Sequence, residues 1–544
     1  MPELFIPIAF LDFPPSIAHL QPSISMIRPD HFPAPFLPPD NHHQPALTLQ
    51  DLKLQAMSYS LRSKPSWWTK YKDETIRSKW KAEALAAPVI GPDELLEPEV
   101  DYVLDELAEL RDRLKEAVKV LENVPDDQQD WHPRSDGQVL DLVHPSLYPI
   151  VYGRTLGYPK GTKPRGRKVE DFRPIVAPNQ SDTFGASWSF SDKFAWLPTD
   201  FKIAKDGSSS EAVSYINNLH PSHTELYSVI EALVARFSLL FDRVLTDLAN
   251  YEESWHLRIT GEYSFDDEDE EEPEWEDDED REEYVARRET WNMQRGISLP
   301  TVPEEGYTVD ISERSNPYTI RGKKAQIIVK LANIYLTPEK PVYPGGSWHV
   351  EGMVNESIVA SGIYYYDSEN IGESRLQFRA VVDPQETDCE NSDELGLMRV
   401  WGITSDTGAS QMVGATPTHA GRCLAFPNIY QHKVSPFELV DKTKPGHRKI
   451  VAFFLVDPKL PGLSTTDIPP QQAEWYEDAM HQAPATSLLQ RLPAELVRET
   501  TRQVPNLMSL DEAKKYRLEL MDERTAFVDI QDENYFADFN FCEH

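Results

Sequence analysis

The sequence predicts an α+β protein, in which helical regions at the N-terminal and C-terminal ends pack around an antiparallel β core. Three observations predict this class. Across residues 325–457 the apolar period shortens to 2; the segments upstream and downstream keep a period near 3.6; and the short apolar runs are separated by Gly, Pro, Asn and Asp, with no helix between them. Several short strands joined by turns make an antiparallel sandwich or barrel.

Residues 1–45 hold eleven prolines and no helical period, as expected of an extended arm. Residues 46–264 form a mainly helical region. It opens on Thr48 and Asp51, a capping box before Leu49, Leu52 and Leu54, and stays helical in composition over 73–86. Its clearest helix is 99–122, where Val100, Val103, Leu104, Leu107, Leu110, Leu114, Val118 and Leu121 form one stripe. Residues 131–220 are rich in Pro, Gly and aromatics and carry no assigned period. A second helix over 222–248 buries Leu226, Ile230, Leu233, Phe237, Leu240, Phe241, Val244 and Leu248.

Residues 265–283 are an acidic insertion. The run 266–283 holds 15 acids and one Arg, which is −14 of the chain's net −36. It is too polar to pack, so it is expected to be a disordered, solvated loop, with a docking tract for a basic protein partner as the alternative. Residues 284–460 carry the β core, after a basic helical piece around 282–294. Its expected strands are Gln326–Leu331, Asn333–Thr337, Ser347–Met353, Ile358–Tyr366, Arg375–Val382, Gly421–Phe426 and Lys449–Val456. Residues 461–544 return to helix, with Ser509 and Glu512 capping Ala513–Met521.

At 544 residues the chain has room for a large core and a second region. Its three cysteines, Cys389, Cys423 and Cys542, supply neither a disulfide framework nor a CxxC pair. A reducing compartment is therefore expected, the cytoplasm, with the nucleus left open. No stretch approaches the ~18 apolar residues of a membrane span, and the first 27 residues lack Lys and Arg, unlike a signal peptide. With 54 basic against 90 acidic residues the surface repels phosphate backbones, which argues against a nucleic-acid partner.

The chemistry concentrates in PGGSWHVEG, 344–352. In an extended strand His349 and Glu351 point to one face and Val350 to the other, which sets two metal ligands side by side. A third is available in GRCLAFPNIYQHKV, where a strand ending at Phe426 and Pro427 turns towards His432. Two imidazoles and one carboxylate on neighbouring strands are the facial triad of a non-heme Fe(II) oxygenase. His419, just before GRC, is the alternative third ligand if the strand register differs. Arg448 opens the apolar strand KIVAFFLVDP, where its planar fork can hold the distal carboxylate of a keto acid; a rim Arg paired with a surface acid is the other reading. Tyr343, Trp348, Asn355, Tyr364 and Tyr366 are candidate pocket-wall residues, with plain packing an equal expectation. His132, His144, His220 and His223 are expected to be structural.

The series HxE, GR-x-L-x-F-P, H-x-V-x-P and G-x-R before an apolar strand resembles the double-stranded β-helix, or jelly-roll, of Fe(II)/2-oxoglutarate-dependent dioxygenases. Over most of its length the chain also resembles a largely fungal family of uncharacterised proteins, the domain-of-unknown-function family numbered 4246. That resemblance rests on KPSWWTKYKDETIRSKWKAEAL, LVHPSLYPIVYGRT, SYINNLHP, LQFR and the strand segment from IVKLANIYLTPEKPVYPGGSWHVEG to YYYDSENI. It implies His349, Glu351 and His432 as iron ligands and Arg448 as the partner of the 2-oxoglutarate C5 carboxylate. Two departures are visible: Glu stands where Asp is commoner, and the interval from His432 to Arg448 is longer than usual.

The carboxylate occupies the position a halide takes in related halogenases, so the resemblance implies hydroxylation or desaturation of a small molecule. A protein or peptide oxygenase of the jumonji kind and a non-catalytic metal-binding protein of the same fold are the alternatives.

Overall fold

Helix α1, Leu49–Arg62, starts where the sequence places its cap: the Asp51 amide donates to Thr48 Oγ1 at 3.1 Å, and that hydroxyl donates to the Asp51 carboxylate at 3.2 Å. The structure is a computed structural model, and it describes residues 31–35, 44–62, 64, 66–86, 105–159, 171–179, 187–250, 263–265, 273–275, 280–300, 315–383, 393–403, 410–481 and 492–535. The expected helix at 99–122 is α2, Asp105–Ala117, followed by a short turn of helix at Lys119–Glu122. Residues 99–104 lie outside the described residues. Helix α3, Thr224–Ala249, matches the second expected helix.

Ten strands define two sheets. They are β1 Val139–Val143, β2 Thr199–Ile203, β3 Ser210–Ala212, β4 Lys324–Leu336, β5 Ile358–Glu369, β6 Arg375–Asp383, β7 Ser410–Pro417, β8 Cys423–Pro427, β9 Gln431–Val434 and β10 Gly446–Val456. The larger sheet runs β8-β5-β10-β4-β2-β3, with β1 also on β4. The smaller sheet centres on β6, flanked by β7 and β9, and takes Gln44–Pro45 as a parallel addition at Val382–Asp383. Every pairing within the large sheet is antiparallel, with Ile327 opposite Leu455 and Glu369 opposite His447.

Helix α3 covers the outer face of the large sheet because Leu226, Ile230, Leu233, Phe237, Phe241 and Leu245 fall on one side at 3- and 4-residue steps. They pack with Val359, Tyr364, Val451, Phe453 and Leu455, and each such burial contributes roughly 1.5–3 kcal/mol. Leu107, Leu110, Leu114 and Val118 join the same cluster. Closest approach falls at Gly362, where a Cβ would lie 2.6 Å from Phe237 Cδ1. The inner face packs Ile328, Ile363, Tyr365 and Phe454 against Leu376 and Phe378 of β6. Helix α5, Leu510–Tyr535, runs past the same end of the two sheets, bonding Glu356 through Arg524 and the Arg379–Gln431 pair through Asp532.

The strand map differs from expectation in several places, among them β9, which was expected as a turn, and a helical segment at Glu394–Trp401 inside a region expected to hold no helix. Ala332 carries the chain through what reads as two strands, so β4 is continuous. Segment Ser347–Met353 shrinks to a bridge between His349 and His432, because Gly345 and Gly352 take φ of 93° and 71° at its ends. Strand β7, SQMVGATP, is not among the expected strands, and it pairs through an irregular register at Phe378/Arg379. The region 46–264, expected to be mainly helical, contributes β1, β2 and β3, whose short runs lie among prolines and glycines that hide their period.

Two further expectations also shift. Part of the arm is packed: Phe32 is buried edge-on to Tyr318, and its amide donates to the Asp457 carboxylate at 2.9 Å. The acidic insertion ends earlier than residue 283, since helix α4, Arg281–Gln294, begins there with Asp280 as its N-cap and Glu282 and Glu283 in its first turn. Residues 266–272 and 276–279, and with them most of the run expected to be disordered, lie outside the described residues.

Candidate metal centre

His349 and Glu351 come from the short bridged segment, His432 from β9, and the backbone brings them together: His349 N donates to His432 O at 3.2 Å and His432 N to His349 O at 2.9 Å. The imidazole centroids are 4.4 Å apart. Nε2 of His432 lies 3.5 Å and Nε2 of His349 3.8 Å from Glu351 Oε1, and all three ligand atoms fall within 4.8 Å of one another. The His349 Nδ1 faces the Ser347 carbonyl at 2.8 Å, so that nitrogen carries the proton and Nε2 presents its lone pair to the cluster. Donors about 2.1 Å from one ion stand roughly 3 Å apart at a right angle, so small inward movements bring all three onto one ion. His419 is not in this group; its Nδ1 lies 3.1 Å from the Ala420 carbonyl.

Burial and the neighbouring His432 lower the His349 pKa to about 4, keeping the imidazole neutral. Burial pushes the Glu351 carboxyl up, but the His432 hydrogen bond and the two imidazoles outweigh it and bring the group down to about 2. Glu351 is therefore a carboxylate and His349 a neutral nitrogen donor, the states a divalent cation needs.

Two positions that sequence reasoning did not single out hold the cluster. Asn428, fully buried, accepts from Glu351 N at 2.8 Å and donates to Glu351 O at 2.9 Å and Ile358 O at 3.0 Å. Gly352 turns the chain away after Glu351, where a Cβ would meet Ile358 Cδ1 at 2.8 Å. The signal for Asn428 was a polar residue between the Pro427 turn and Ile429, and nothing local distinguishes it from an ordinary turn residue.

Arg448 lies on the inner face of β10, 2% exposed, opposite Ile334. Its Nη1 donates to Ser374 Oγ at 2.5 Å and Thr418 Oγ1 at 3.3 Å, and its guanidinium stands over Phe437 and Tyr365 at 4.9 and 5.5 Å. Among the described residues no carboxylate comes within 4 Å of it, and its Nε is buried without a partner. A surface ion pair is thus not its role. Ser374 and Thr418, unforeseen from the sequence, line this end of the space between the sheets.

The candidate wall residues separate by strand face. Tyr364 and Tyr366 point to the helix-covered side, bonding the Leu107 carbonyl and Asn333, while Tyr365 between them faces inward. A one-residue step on a strand reverses the face. Trp348 is held between the Arg379 and Lys433 cations, each 4.6 Å from its ring, and Asn355 bonds Ser191 and Tyr152. Tyr343 packs on Phe437 near Arg448.

A second His/Asp group, His132, Asp141 and His144, lies beside β1. Its polar atoms are partly committed: Asp141 accepts from His132 Nδ1 at 2.8 Å and faces Arg517 at 3.8 Å, and His144 Nδ1 accepts from Ser146 N at 3.2 Å.

These features define a mixed helix and strand protein with antiparallel sheets and a His/Glu group able to hold a metal. The chain belongs to the DUF4246 family: the model for "Protein of unknown function (DUF4246)" matches residues 99–479, and that for its N-terminal domain matches 11–83. No curated protein matches it. Among solved structures, the Fe(II)/(alpha)ketoglutarate-dependent dioxygenase TqaL aligns at 11% identity with a TM-score of 0.22, over 49% of this chain and 70% of its own. IDO from Bacillus thuringiensis aligns at 12% identity and a TM-score of 0.15, over 25% and 48%. A bsmA homolog from Methylobium petroleophilum PM1 aligns at 12% and 0.16, over 26% and 46%. Scores this low bear on neither fold nor activity. Among the described residues no helix is long and apolar enough to cross a membrane.

Proposed function

We propose that the protein is an Fe(II)/2-oxoglutarate-dependent dioxygenase that hydroxylates or desaturates a small molecule. The observation that carries this reading is the pairing of His349, Glu351 and His432 with a buried Arg448 that has no carboxylate partner among the described residues. A buried guanidinium without a counter-ion is costly, and a dicarboxylic keto acid supplies the missing anion. Strand order supports a double-stranded β-helix: β4, β10, β5 and β8 face the His349 segment, β9, β6 and β7, with the ligands on one and Arg448 on the other.

On this reading His349, Glu351 and His432 would hold the iron, as a set of two histidines and one carboxylate does. The bound iron supplies the oxidising chemistry; in the hydroxylation, substrate C–H, 2-oxoglutarate and O2 become C–OH, succinate and CO2. Asn428 fixes the Glu351 backbone, Ser347 fixes the His349 tautomer, and Arg448 with Ser374 and Thr418 orients the C5 carboxylate. Phe378 and Phe426 close the apolar side against His432. The test is anaerobic Fe(II) titration followed by 2-oxoglutarate calorimetry and succinate assay. One iron per chain, lost in His432→Ala, and 2-oxoglutarate binding that requires iron are expected. A chain that binds iron equally well without His349 and His432 refutes the assignment.

A further inference from the structure

Lys330 is an ionisable side chain on the inner face of β4 that this reading leaves unused. Its strand partner is Ala452, which packs inward with Ile328, Ile363, Tyr365 and Phe454, whereas Val329 and Leu331 on either side face the helix-covered cluster. Lys330 therefore projects into the same space between the sheets as Arg448, two strand-face positions from Ile334, the residue opposite Arg448. It interrupts an otherwise buried run, and it is itself only half-buried. Among the described residues it makes no hydrogen bond, and no carboxylate lies within 4 Å of it.

Glu351 belongs to the metal cluster, and Asp141, which shares the face through Ala332, accepts from His132 and lies more than 4 Å from Lys330. The same inner-face cluster contains Phe378 and Phe426, whose rings pack on His432, so Lys330 looks into the space that the metal cluster borders. A lysine on an apolar inner face, next to a metal cluster and without an anion, has no packing reason to be there.

We propose that Lys330 binds the carboxylate of the substrate, so that the substrate class is a small monocarboxylic acid oxidised at a carbon close to that carboxylate. This rests on the proposed oxygenase reading. A divalent ion and Arg448 are balanced by Glu351 and the dicarboxylate cosubstrate, and no described carboxylate reaches Lys330 within 4 Å, so an incoming anion can pair with it directly. A neutral substrate would leave that ammonium desolvated and unpaired. A carboxylate docked there is held beside the metal ligands, which brings its neighbouring carbons, before any distant part of the molecule, to the reacting position.

The experiment uses the full chain, anaerobic, with Fe(II) and 2-oxoglutarate bound, and measures calorimetric affinities for butanoate, hexanoate and phenylacetate and for the primary amide of each. Wild type should bind at least one acid about tenfold or more tightly than its amide, since a charge-assisted contact is lost in the amide. Lys330→Met should erase that preference and Lys330→Arg should retain it, with iron and 2-oxoglutarate affinities unchanged in both. Equal binding of acids and amides by wild type, no acid binding, or a preference that survives Lys330→Met overturns the proposal. Loss of 2-oxoglutarate binding in Lys330→Met overturns it too, by moving Lys330 to the cosubstrate, while the oxygenase reading stands. If wild type takes up neither iron nor 2-oxoglutarate, the oxygenase reading fails, and the acid-against-amide comparison on the apo chain still decides for or against Lys330. Should Lys330→Met not fold, Lys330→Gln, which also removes the charge, is read in its place, and a preference that survives it overturns the proposal.

Discussion

Replacing Arg448 with Met separates the role of this side chain in binding from its role in folding, because the two should move in opposite directions. In the free protein the guanidinium is 2% exposed, its Nε has no partner, and burial lowers its pKa. Two hydroxyls partly solvate it, and they remain satisfied without it: Thr418 Oγ1 lies 2.9 Å from both Ser374 Oγ and the Ser374 carbonyl. Met matches the length of the stem and can pack on Phe437 and Tyr365, so the free variant is expected to melt at or above the wild-type temperature. The cosubstrate should suffer instead. Truncating one member of a buried charge pair costs about 2–5 kcal/mol, which is roughly 30- to 5,000-fold in Kd. Calorimetry with 2-oxoglutarate on the iron-loaded variant reads the affinity, and thermal melts with and without 2-oxoglutarate read the stability. A wild-type Kd in Arg448→Met refutes the cosubstrate role. A large fall in the melting temperature of the free variant would mean instead that Arg448 is a structural cation.

Gly362→Ala should destabilise the protein by about 1–3 kcal/mol in denaturant melts, because the added methyl meets the buried Phe237 ring at 2.6 Å. The free protein should lose stability as pH falls below 6.5. Burial holds the His144 pKa at about 3 against an ordinary 6.5, so between those values the unfolded chain binds the extra proton and unfolding gains about 1.4 kcal/mol per pH unit from this group. His144→Gln should flatten the slope of stability against pH by about that amount, and an unchanged slope would show that His144 is protonated in the fold. Deleting residues 266–279 should leave the melting temperature nearly unchanged, whereas deleting 266–283 should cost about 1 kcal/mol more, since the second removes the Asp280 cap and first turn of α4. Equal effects of the two deletions would show that the cap contributes nothing.

What the sequence made legible was whatever one strand or one helix decides alone. The stripe Leu107, Leu110, Leu114 and Val118 and the alternation that sets His349 and Glu351 on one side of Val350 are properties of single segments, and the structure keeps both. What stayed hidden depends on partners far along the chain. Asn428 looks like any turn residue until its side chain is seen spanning Glu351 and Ile358. Tyr364 and Tyr366 were candidates for the inner wall, but the register with β10 turns Tyr365 inward instead, and only the pairing of Tyr365 with Ile450 fixes that choice. Strand β1 was invisible because its five residues lie between turns and make sense as a strand only beside β4. The same dependence explains Lys330. In sequence it is one cation in an apolar run, but opposite Ala452 it becomes an ammonium inside the fold beside a metal-ligand cluster, and a cation so placed calls for an anion brought in from outside.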